Sequence, residues 1–186
     1  SIKVLTKESD GLPKNIYLLK KDNIHSNSLQ VINQYATDEG ERSNRYDVTV
    51  LVNGLPLVHV ELKRMGVAIE EAFNQINRYQ RESFWAASGL FEYVQLFVIS
   101  NGTHTKYYAN TVRQQHIDES KKQKPKGKRS SNSYEFTSWW ADANNRPITD
   151  LMDFGKTFFA KHALLNILTK YCVFTADRQL LVMRPY

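Results

Sequence analysis

The 186-residue sequence predicts an α/β fold in which a mixed central β-sheet is flanked by helices. Three features indicate this fold class. Residues 45–64 alternate like two strands joined by a turn, residues 67–87 have helical periodicity, and residues 93–100 form an apolar run of strand length. The coarse order of helix, strand, strand, helix, strand, strand and helix suits one sheet with helices on its faces.

The elements of the first half follow from their spacing. A helix is predicted over residues 27–36, where Leu29, Ile32 and Tyr35 recur at helical intervals. The hairpin comes next. The helix over 67–87 contains neither glycine nor proline, and it carries its apolar residues on one side.

The elements of the centre are a strand pair and a loop. Residues 93–100 have too many consecutive apolar residues for a half-exposed strand, which favours a central strand covered on both faces. Asn101 and Gly102 then turn the chain into a return strand over 105–110. The segment 118–133 is polar, basic and serine-rich, and it is expected to be mobile.

The last third predicts a long helix over residues 148–171, capped by Thr149 or Asp150. Trp139 and Trp140, which precede it, are expected to pack rather than to stack on a nucleic-acid base. One stripe of the helix carries Leu151, Phe154, Phe158, His162 and Leu165. His162 on that stripe is interpreted as a packing or capping residue rather than a ligand.

Composition excludes several classes of protein. A hydrophobic fraction of 41% and an aromatic fraction of 12% suit a folded globular chain. Cys172 is the single cysteine, so no internal disulfide is possible, and we expect a buried packing thiol. No apolar run approaches the roughly 18 residues of a membrane helix, and no secretory signal is evident at the N-terminus.

The net charge of +6 comes from one segment, residues 121–129. Its basic residues are Lys121, Lys122, Lys124, Lys126, Lys128 and Arg129. Without them the chain has 19 basic and 19 acidic residues, which balance. Such a segment either attracts a polyanion or is a solvated loop, and charge alone does not decide between the two.

The hairpin places charged residues on one face of its two strands. Val48, Val50 and Val52 share one face of the first strand, and a matching apolar set from Pro56 to Leu62 shares one face of the second. If both sets face the same core, the opposite face carries Asp47 together with His59, Glu61 and Lys63.

The turn of the hairpin is constrained by this pattern. A plain ladder from a two-residue Asn53–Gly54 turn would place Asp47 opposite Val60, on the face away from Glu61. We therefore predict either a three-residue loop or a bulge, with Gly54 at positive φ. Asp47 then lies opposite Glu61 or one diagonal step away.

Two converging carboxylates repel each other unless a cation lies between them. Mg²⁺ suits oxygen ligands, so Asp47 and Glu61 are predicted metal ligands. Lys63 projects the same way, where an ammonium can hold an attacking water or stabilise charge on a phosphodiester in its transition state. The alternative is an ordinary exposed sheet face. His59 is expected beside the ligands or facing solvent, because imidazole prefers softer ions.

The following helix presents Gln75 and Tyr79 on one face, since they are four residues apart. They can hydrogen-bond a water, a metal ligand or a phosphate. A solvated polar face is the alternative.

Together these residues resemble the PD-(D/E)xK nuclease superfamily, with a Q-x-x-x-Y extension. Asp47 matches its first acid, "ELK" at 61–63 matches E-x-K, and "QINRY" at 75–79 matches the extension; Tyr46 stands where the superfamily has proline. The segments "RYDVTVLVNGLPLVHVELKR", "AFNQINRYQRES", "LFVISNGT", "FFAKHALLNIL" and "LLVMRPY" resemble the N-terminal nuclease region of the restriction (motor) subunit of Type I restriction-modification enzymes.

The resemblance implies a restriction-endonuclease-like core that cuts both strands of DNA with Mg²⁺, away from the recognition sequence. It implies that Asp47, Glu61 and the main-chain carbonyl of Leu62 hold the metal, that Lys63 is catalytic, and that Gln75 and Tyr79 support the site. The further acid that the superfamily often has on its first helix is missing from residues 28–36. Arg64 and Arg78 are expected to contact phosphates.

The family also implies a longer subunit. Residues 1–172 are expected to form the nuclease domain, and residues 173–186 to begin the connection to an ATP-driven translocase. No G-x-x-x-x-G-K-[ST] loop occurs in the sequence, so ATP is not expected to bind to this chain. The expected partners are double-stranded DNA and separate specificity and methylation subunits, in the cytoplasm of a bacterium or archaeon and without a membrane.

Two alternatives are left open by the sequence. One is a stand-alone nuclease of the same superfamily that acts in repair or on DNA junctions. The other is a catalytically silent module that binds DNA or docks to another subunit.

Overall fold

The computed structural model describes residues 5–7, 13–15, 18–37, 44–84, 89–125 and 128–183. The strands are β1 (Leu5–Lys7), β2 (Pro13–Asn15), β3 (Leu29–Thr37), β4 (Asn44–Val52), β5 (Leu55–Leu62), β6 (Leu96–Ser100), β7 (Thr105–Ala109), β8 (Ser138–Ala141), β9 (Pro147–Ile148), β10 (Cys172–Phe174) and β11 (Leu180–Val182). The α-helices are α1 (Ile69–Glu82), α2 (Arg113–Lys121), α3 (Leu151–Phe158) and α4 (Lys161–Asn166), and a π-helical turn covers Ile167–Tyr171.

Seven strands form a central sheet in the order β3-β4-β5-β6-β7-β8-β9. Strands β5 and β6 run parallel, and the other neighbours are antiparallel. Helix α1 makes the crossover between the two parallel strands, as such a connection requires. The predicted mixed sheet flanked by helices is confirmed, and it is consistent with a restriction-endonuclease-like fold.

The turn between β4 and β5 has two residues, with Val52 paired to Leu55. Asn53 and Gly54 have φ values of 50° and 84°, so both central residues adopt the left-handed region that a tight hairpin turn of this kind needs. The Asn53 side chain also accepts the Ser28 N–H at 2.8 Å, which ties the turn to the chain before β3.

A bulge in β5 corrects the register that this turn would otherwise set. The ladder passes from Leu51 opposite Pro56 to Val50 opposite Val58, so Leu57 is the extra residue. The bulge alternative of the sequence prediction is confirmed. Beyond it, the apolar faces of β4 and β5 point to the same side of the sheet.

Strand β6 is buried at all five positions, as predicted for a central strand. Leu96 and Val98 face one side of the sheet, and Phe97 and Ile99 face the other. The return strand β7 is confirmed, and it pairs antiparallel with β6.

Helix α1 covers one face of the sheet through Ala72, Phe73 and Ile76, and their buried side chains pack with Phe97 and Ile99. We call this the α1 cluster. The predicted helix is confirmed over most of its length, although residues 85–87 lie outside the described residues. Glu70 and Glu71 lie in the first turn of α1, where their negative charges stabilise the helix through its dipole.

The predicted helix over residues 27–36 is wrong, because this segment forms strand β3. It pairs with β4 from Leu29 opposite Val52 to Thr37 opposite Asn44. Spacing by three suits a helix locally, but hydrogen bonds to β4 satisfy the backbone instead, and β-branched residues such as Val31 and Ile32 favour the strand.

The predicted single helix over residues 148–171 is also wrong, because the chain breaks between α3 and α4. The break falls at Ala160, whose ψ of 130° is not helical. Phe159, the last residue before it, packs 5.8 Å from Phe154 and 5.3 Å from Phe158. Asp150 is the cap, since its carboxylate accepts two N–H groups of the first turn. His162 falls outside the buried stripe and stacks on His25 at 5.3 Å.

The second face of the sheet is covered by α3 and α4. Phe154, Phe158, Leu164 and Leu165 are each 0% exposed there, and they pack with the valines of β4 and β5. We call this the α3/α4 cluster. Trp140 packs on it, 5.2 Å from Phe158. Trp139 faces the other side and remains 36% exposed, so the packing prediction is confirmed for Trp140 only.

The segment 118–133 begins inside helix α2, which extends to Lys121. After the turn, Ser130 is held by Glu119, whose carboxylate accepts its N–H at 3.1 Å and its hydroxyl at 2.8 Å. His116 contacts the Ser130 carbonyl at 2.6 Å. The described part of the basic segment is therefore anchored at both ends. Within the described ranges, no helix has the length and apolar content to cross a membrane.

Cys172 is half-buried and packs against the α3/α4 cluster, in agreement with the predicted packing thiol. Burial raises its pKa to about 12, so very little thiolate exists at pH 8. We expect iodoacetamide at pH 8 to alkylate Cys172 at least ~100-fold more slowly in the folded chain than in urea. Mass spectrometry of timed samples measures this ratio, and equal rates in both states would contradict the burial.

Candidate active site

The acidic residues predicted as ligands come from strands that meet at one end of the sheet. Asp47 lies near the start of β4 and Glu61 near the end of β5, and the pair Val48–Val60 sets Asp47 opposite Glu61. The Asp47 carboxylate is half-buried and accepts the Leu62 N–H at 2.8 Å. It therefore lies against the end of β5 rather than in the apolar interior.

Glu61 and Lys63 form an ion pair at this end of β5. Lys63 Nζ is 3.2 Å from Glu61 Oε1, and the two side chains are 19% and 1% exposed. The Lys63 N–H donates to the Ser100 carbonyl at 2.8 Å, which fixes the backbone to the end of β6. A buried carboxylate requires such a counter-charge, because desolvation otherwise disfavours its ionised form.

Helix α1 continues this network with the residues predicted from its polar face. Lys63 Nζ also donates to Gln75 Oε1, and Gln75 Nε2 donates to Tyr79 Oη. Tyr79 Oη donates in turn to the Arg45 carbonyl at 3.2 Å. One chain of hydrogen bonds thus connects β5, α1 and β4, and it leaves the Lys63 ammonium in a fixed position.

The pKa of the Tyr79 hydroxyl is affected by both acids. Burial, and then the negative charge of Glu61, raises the pKa of Tyr79, and Asp47 adds to the same effect. The hydroxyl therefore stays protonated and keeps its role as donor at neutral pH. Both carboxylates act on this one hydroxyl, which indicates that they share its neighbourhood.

His59 was expected either beside the metal ligands or facing solvent. It is 0% exposed, so the solvent-facing alternative is wrong. Its Nε2 lies 3.5 Å from Glu61 Oε2, beside the predicted ligand.

The donor set fits a hard divalent cation. Glu61 Oε2 is buried and has no hydrogen-bond partner among the described residues, so this carboxylate has capacity for a further ligand. Asp47 supplies a second carboxylate beside Leu62. In the described part of the chain, no cluster of three or more His, Cys, Asp or Glu side chains could hold a metal. Two carboxylates are oxygen donors, which suit Mg²⁺ rather than a softer ion.

The basic residues predicted to contact DNA divide into two groups. Arg64 and Arg78 are exposed, Arg64 directly after Lys63 in the chain and Arg78 on α1, where its Cζ lies 5.5 Å from the Tyr79 ring centroid. The second group is the basic segment, in which Lys121, Lys122, Lys124 and Lys128 are exposed and Arg129 is half-buried, whereas Lys126 lies outside the described residues.

The chain directly after the basic segment, at Ser131 and Asn132, lies against the side of α1 that faces away from Gln75 and Tyr79. Asn132 donates to Gln80 Oε1 at 2.8 Å and to Asn77 Oδ1 at 3.3 Å, and Arg81 donates to Ser131 at 2.9 Å. Positions two apart on a helix lie on nearly opposite faces. This part of the chain therefore flanks α1 and does not join the acid pair.

Sequence reasoning missed two parts of this site. One is the buried polar network that holds residues 130–132 to α1, since isolated Asn and Gln residues give no periodic signal. The other is the group of aromatic rings around His59. The aromatic residues of β4 and of the chain after α1 were visible, but nothing in their spacing showed that they surround one imidazole.

Comparison with known proteins adds an independent result. The family described as Type I restriction enzyme R protein N terminus matches residues 1–116. The Type I restriction enzyme EcoprrI endonuclease subunit of Escherichia coli is 55% identical over 177 residues, which cover 95% of this chain and 51% of that protein.

Two staphylococcal relatives are longer still. The SauCOLORF180P endonuclease subunit of Staphylococcus aureus is 40% identical over 86% of this chain and 15% of its own length. The SsaAORF53P endonuclease subunit of Staphylococcus saprophyticus is 37% identical over 92% of this chain and 16% of its own length. The chain therefore spans about half or less of these relatives, and it belongs to the family of Type I restriction enzyme R protein N-termini.

Proposed function

We propose that this chain is the nuclease part of a longer Type I endonuclease subunit and that it hydrolyses phosphodiester bonds of double-stranded DNA with Mg²⁺. The observation that carries the proposal is the meeting of Asp47, Glu61 and Lys63 at one end of the sheet. The ion pair of Lys63 with Glu61 at 3.2 Å and the contact of Asp47 with the Leu62 N–H at 2.8 Å support it.

Each residue has a chemical part in this proposal. Asp47, Glu61 and the Leu62 carbonyl would hold Mg²⁺, which would polarise a phosphoryl oxygen and lower the pKa of a water. Lys63 orients the attacking water and stabilises the negative charge that grows on the phosphate. Gln75 accepts from Lys63, and Tyr79 donates to β4, so the two keep the ammonium aimed at the substrate.

Exposed basic residues support DNA as the substrate. Arg64 directly follows Lys63 in the chain and Arg78 directly precedes Tyr79 on α1, and both are exposed, as are the described lysines of the basic segment. Contacts of this kind bind phosphates without reading sequence, and salt weakens them. A separate specificity subunit would then choose the DNA, and a methylation subunit would complete the assembly.

The wider assignment follows the longer relatives. We propose that residues 1–172 form the nuclease domain and that residues 173–186 begin the connection to an ATP-driven translocase. ATP would bind to that translocase rather than to this chain. Cleavage would then take place away from the recognition sequence, in the cytoplasm of a bacterium or archaeon.

Replacement of a predicted metal ligand tests the function. We expect Asp47→Ala, in the longer subunit assembled with its companion subunits, to lower Mg²⁺-dependent cleavage of plasmid DNA by ~10²-fold or more, because it removes a metal ligand. ATP hydrolysis should continue at the wild-type rate. Gel analysis of plasmid forms and a phosphate-release assay measure the two activities.

Asp153→Ala is the matched control, because Asp153 is an exposed aspartate on α3, on the other face of the sheet. It should cut like the wild type. Undiminished cleavage by Asp47→Ala would contradict the proposal and favour a silent docking module. Loss of ATP hydrolysis together with cleavage would assign Asp47 a structural role instead.

A further inference from the structure

A buried imidazole lies directly behind the predicted metal ligand. His59 is 0% exposed in the middle of β5, two residues before Glu61. It pairs with Thr49 of β4 on one side and with Phe97 of β6 on the other, so it stands in the centre of the sheet. A histidine that is buried so completely usually has a hydrogen-bond partner for its ring nitrogens.

Aromatic rings fix the orientation of this imidazole. Four rings meet it at interplanar angles of 79–81°, with centroid distances of 5.4–6.5 Å; they belong to Tyr46, Tyr79, Phe84 and Phe97. Close packing on several sides prevents the ring from turning without displacing its neighbours. The direction of its nitrogens is therefore set by the fold.

The fixed ring points a nitrogen at Glu61. Nε2 of His59 lies 3.5 Å from Oε2 of Glu61, and neither atom has a hydrogen-bond partner among the described residues. A shortening of a few tenths of an ångström brings the pair into ordinary hydrogen-bond range. The other oxygen of the carboxylate, Oε1, is occupied by Lys63 at 3.2 Å.

We propose that His59 is a positioning residue that donates Nε2–H to Oε2 of Glu61 and thereby holds this carboxylate in its metal-binding orientation. The inference rests on the proposed function. Each carboxylate oxygen has two lone pairs, so Oε2 accepts from His59 without losing its capacity for a cation. Groups that hydrogen-bond to metal ligands typically contribute 10–100-fold to metal affinity.

Replacement of the donor tests the inference. His59→Phe keeps an aromatic ring within the four rings but removes the N–H, and His59→Gln keeps an N–H near the same place. Mn²⁺ serves as the probe, with affinity measured by electron paramagnetic resonance on the 186-residue chain. We expect ~10–100-fold weaker binding for His59→Phe and recovery of most of the affinity in His59→Gln.

The same variants in the longer subunit provide a second readout. His59→Phe should raise the Mg²⁺ concentration for half-maximal cleavage by about tenfold or more, whereas the rate at saturating Mg²⁺ should change much less. Thr49→Val is the matched control, because Thr49 lies opposite His59 and its buried hydroxyl also has no partner among the described residues. It should leave both readouts unchanged.

The outcomes separate this inference from the proposed function. Wild-type Mn²⁺ affinity and an unshifted Mg²⁺ dependence in His59→Phe would overturn the positioning role. Equal losses of Mn²⁺ affinity in His59→Phe and His59→Gln would also overturn it, because a residue that only fills space would not depend on the N–H that His59→Gln keeps. If instead Glu61→Ala and Asp47→Ala bind Mn²⁺ like the wild type, the proposed metal site itself fails. If His59→Phe lowers the melting temperature, His59→Leu replaces it in both assays.

Discussion

Lys63→Ala in the assembled endonuclease is expected to lower DNA cleavage by about 10²–10³-fold while metal binding persists. Lys63 contacts both a predicted ligand and α1, through Glu61 and Gln75. In the proposed mechanism, alanine removes the positive charge that would face the reacting phosphate. It leaves Asp47 and Glu61 in place, and a bound cation would supply the counter-charge that Glu61 loses, so metal binding is expected to persist.

Cleavage and Mn²⁺ affinity, measured on the same preparations, distinguish this role from that of the ligands. Asp47→Ala should lose both, whereas Lys63→Ala should lose cleavage alone. Lys63→Arg is not expected to restore cleavage, because a planar guanidinium does not fit the contact with Gln75 as a compact ammonium does. Lys156→Ala, at a lysine that is 70% exposed on α3, serves as the control. Cleavage retained by Lys63→Ala would exclude a catalytic lysine.

Phe158→Ala is expected to lower the free energy of unfolding by about 3–5 kcal/mol. Phe158 is 0% exposed, and its ring packs 4.6 Å from Phe154, 5.1 Å from Tyr107 and 5.2 Å from Trp140. Alanine leaves a cavity at the centre of the α3/α4 cluster that these rigid rings cannot fill. A loss of this size is a large part of the total stability of a typical domain.

Urea denaturation followed by tryptophan fluorescence measures the loss, because Trp140 reports on this cluster. Met152→Ala provides the control, since Met152 is 68% exposed on the same helix and should change the midpoint little. At a temperature at which Phe158→Ala is still folded, its Mn²⁺ affinity should match the wild type, because the site lies on the other face of the sheet. An unchanged urea midpoint would contradict the packing described for Phe158.

Periodic segments with strong local signals could be predicted from the sequence. The hairpin over β4 and β5, the helix α1 and the central strand β6 each follow from the alternation or spacing of their apolar residues. Strand β3 could not be predicted this way, because Leu29, Ile32 and Tyr35 fit a helix locally and only pairing with β4 decides the outcome. The break between α3 and α4 has the same origin, since Phe159 and the apolar residues of α4 pack in one cluster with the sheet.

The candidate site divides in the same manner. Asp47, Glu61 and Lys63 could be predicted to meet, because strand alternation and a matched apolar face require it. Gln75 and Tyr79 could be predicted to share a helix face. The hydrogen bonds that run from Lys63 through Gln75 and Tyr79 to the Arg45 carbonyl could not be predicted, since they depend on how α1 packs across the sheet. The burial of His59 depends on rings that are distant in sequence, such as Phe84 and Phe97.

The parallel pairing of β5 with β6 bears on the time at which the chain becomes chemically competent. The β4–β5 hairpin closes a short loop and can form within microseconds, whereas the bond from Lys63 to Ser100 must wait until α1 has folded across the intervening residues. A hairpin by itself is only marginally stable in water, so closing it early does not keep Asp47 and Glu61 together. Both acids and the Lys63 backbone are expected to become fixed in one step, when β6 docks beside β5 and completes the sheet.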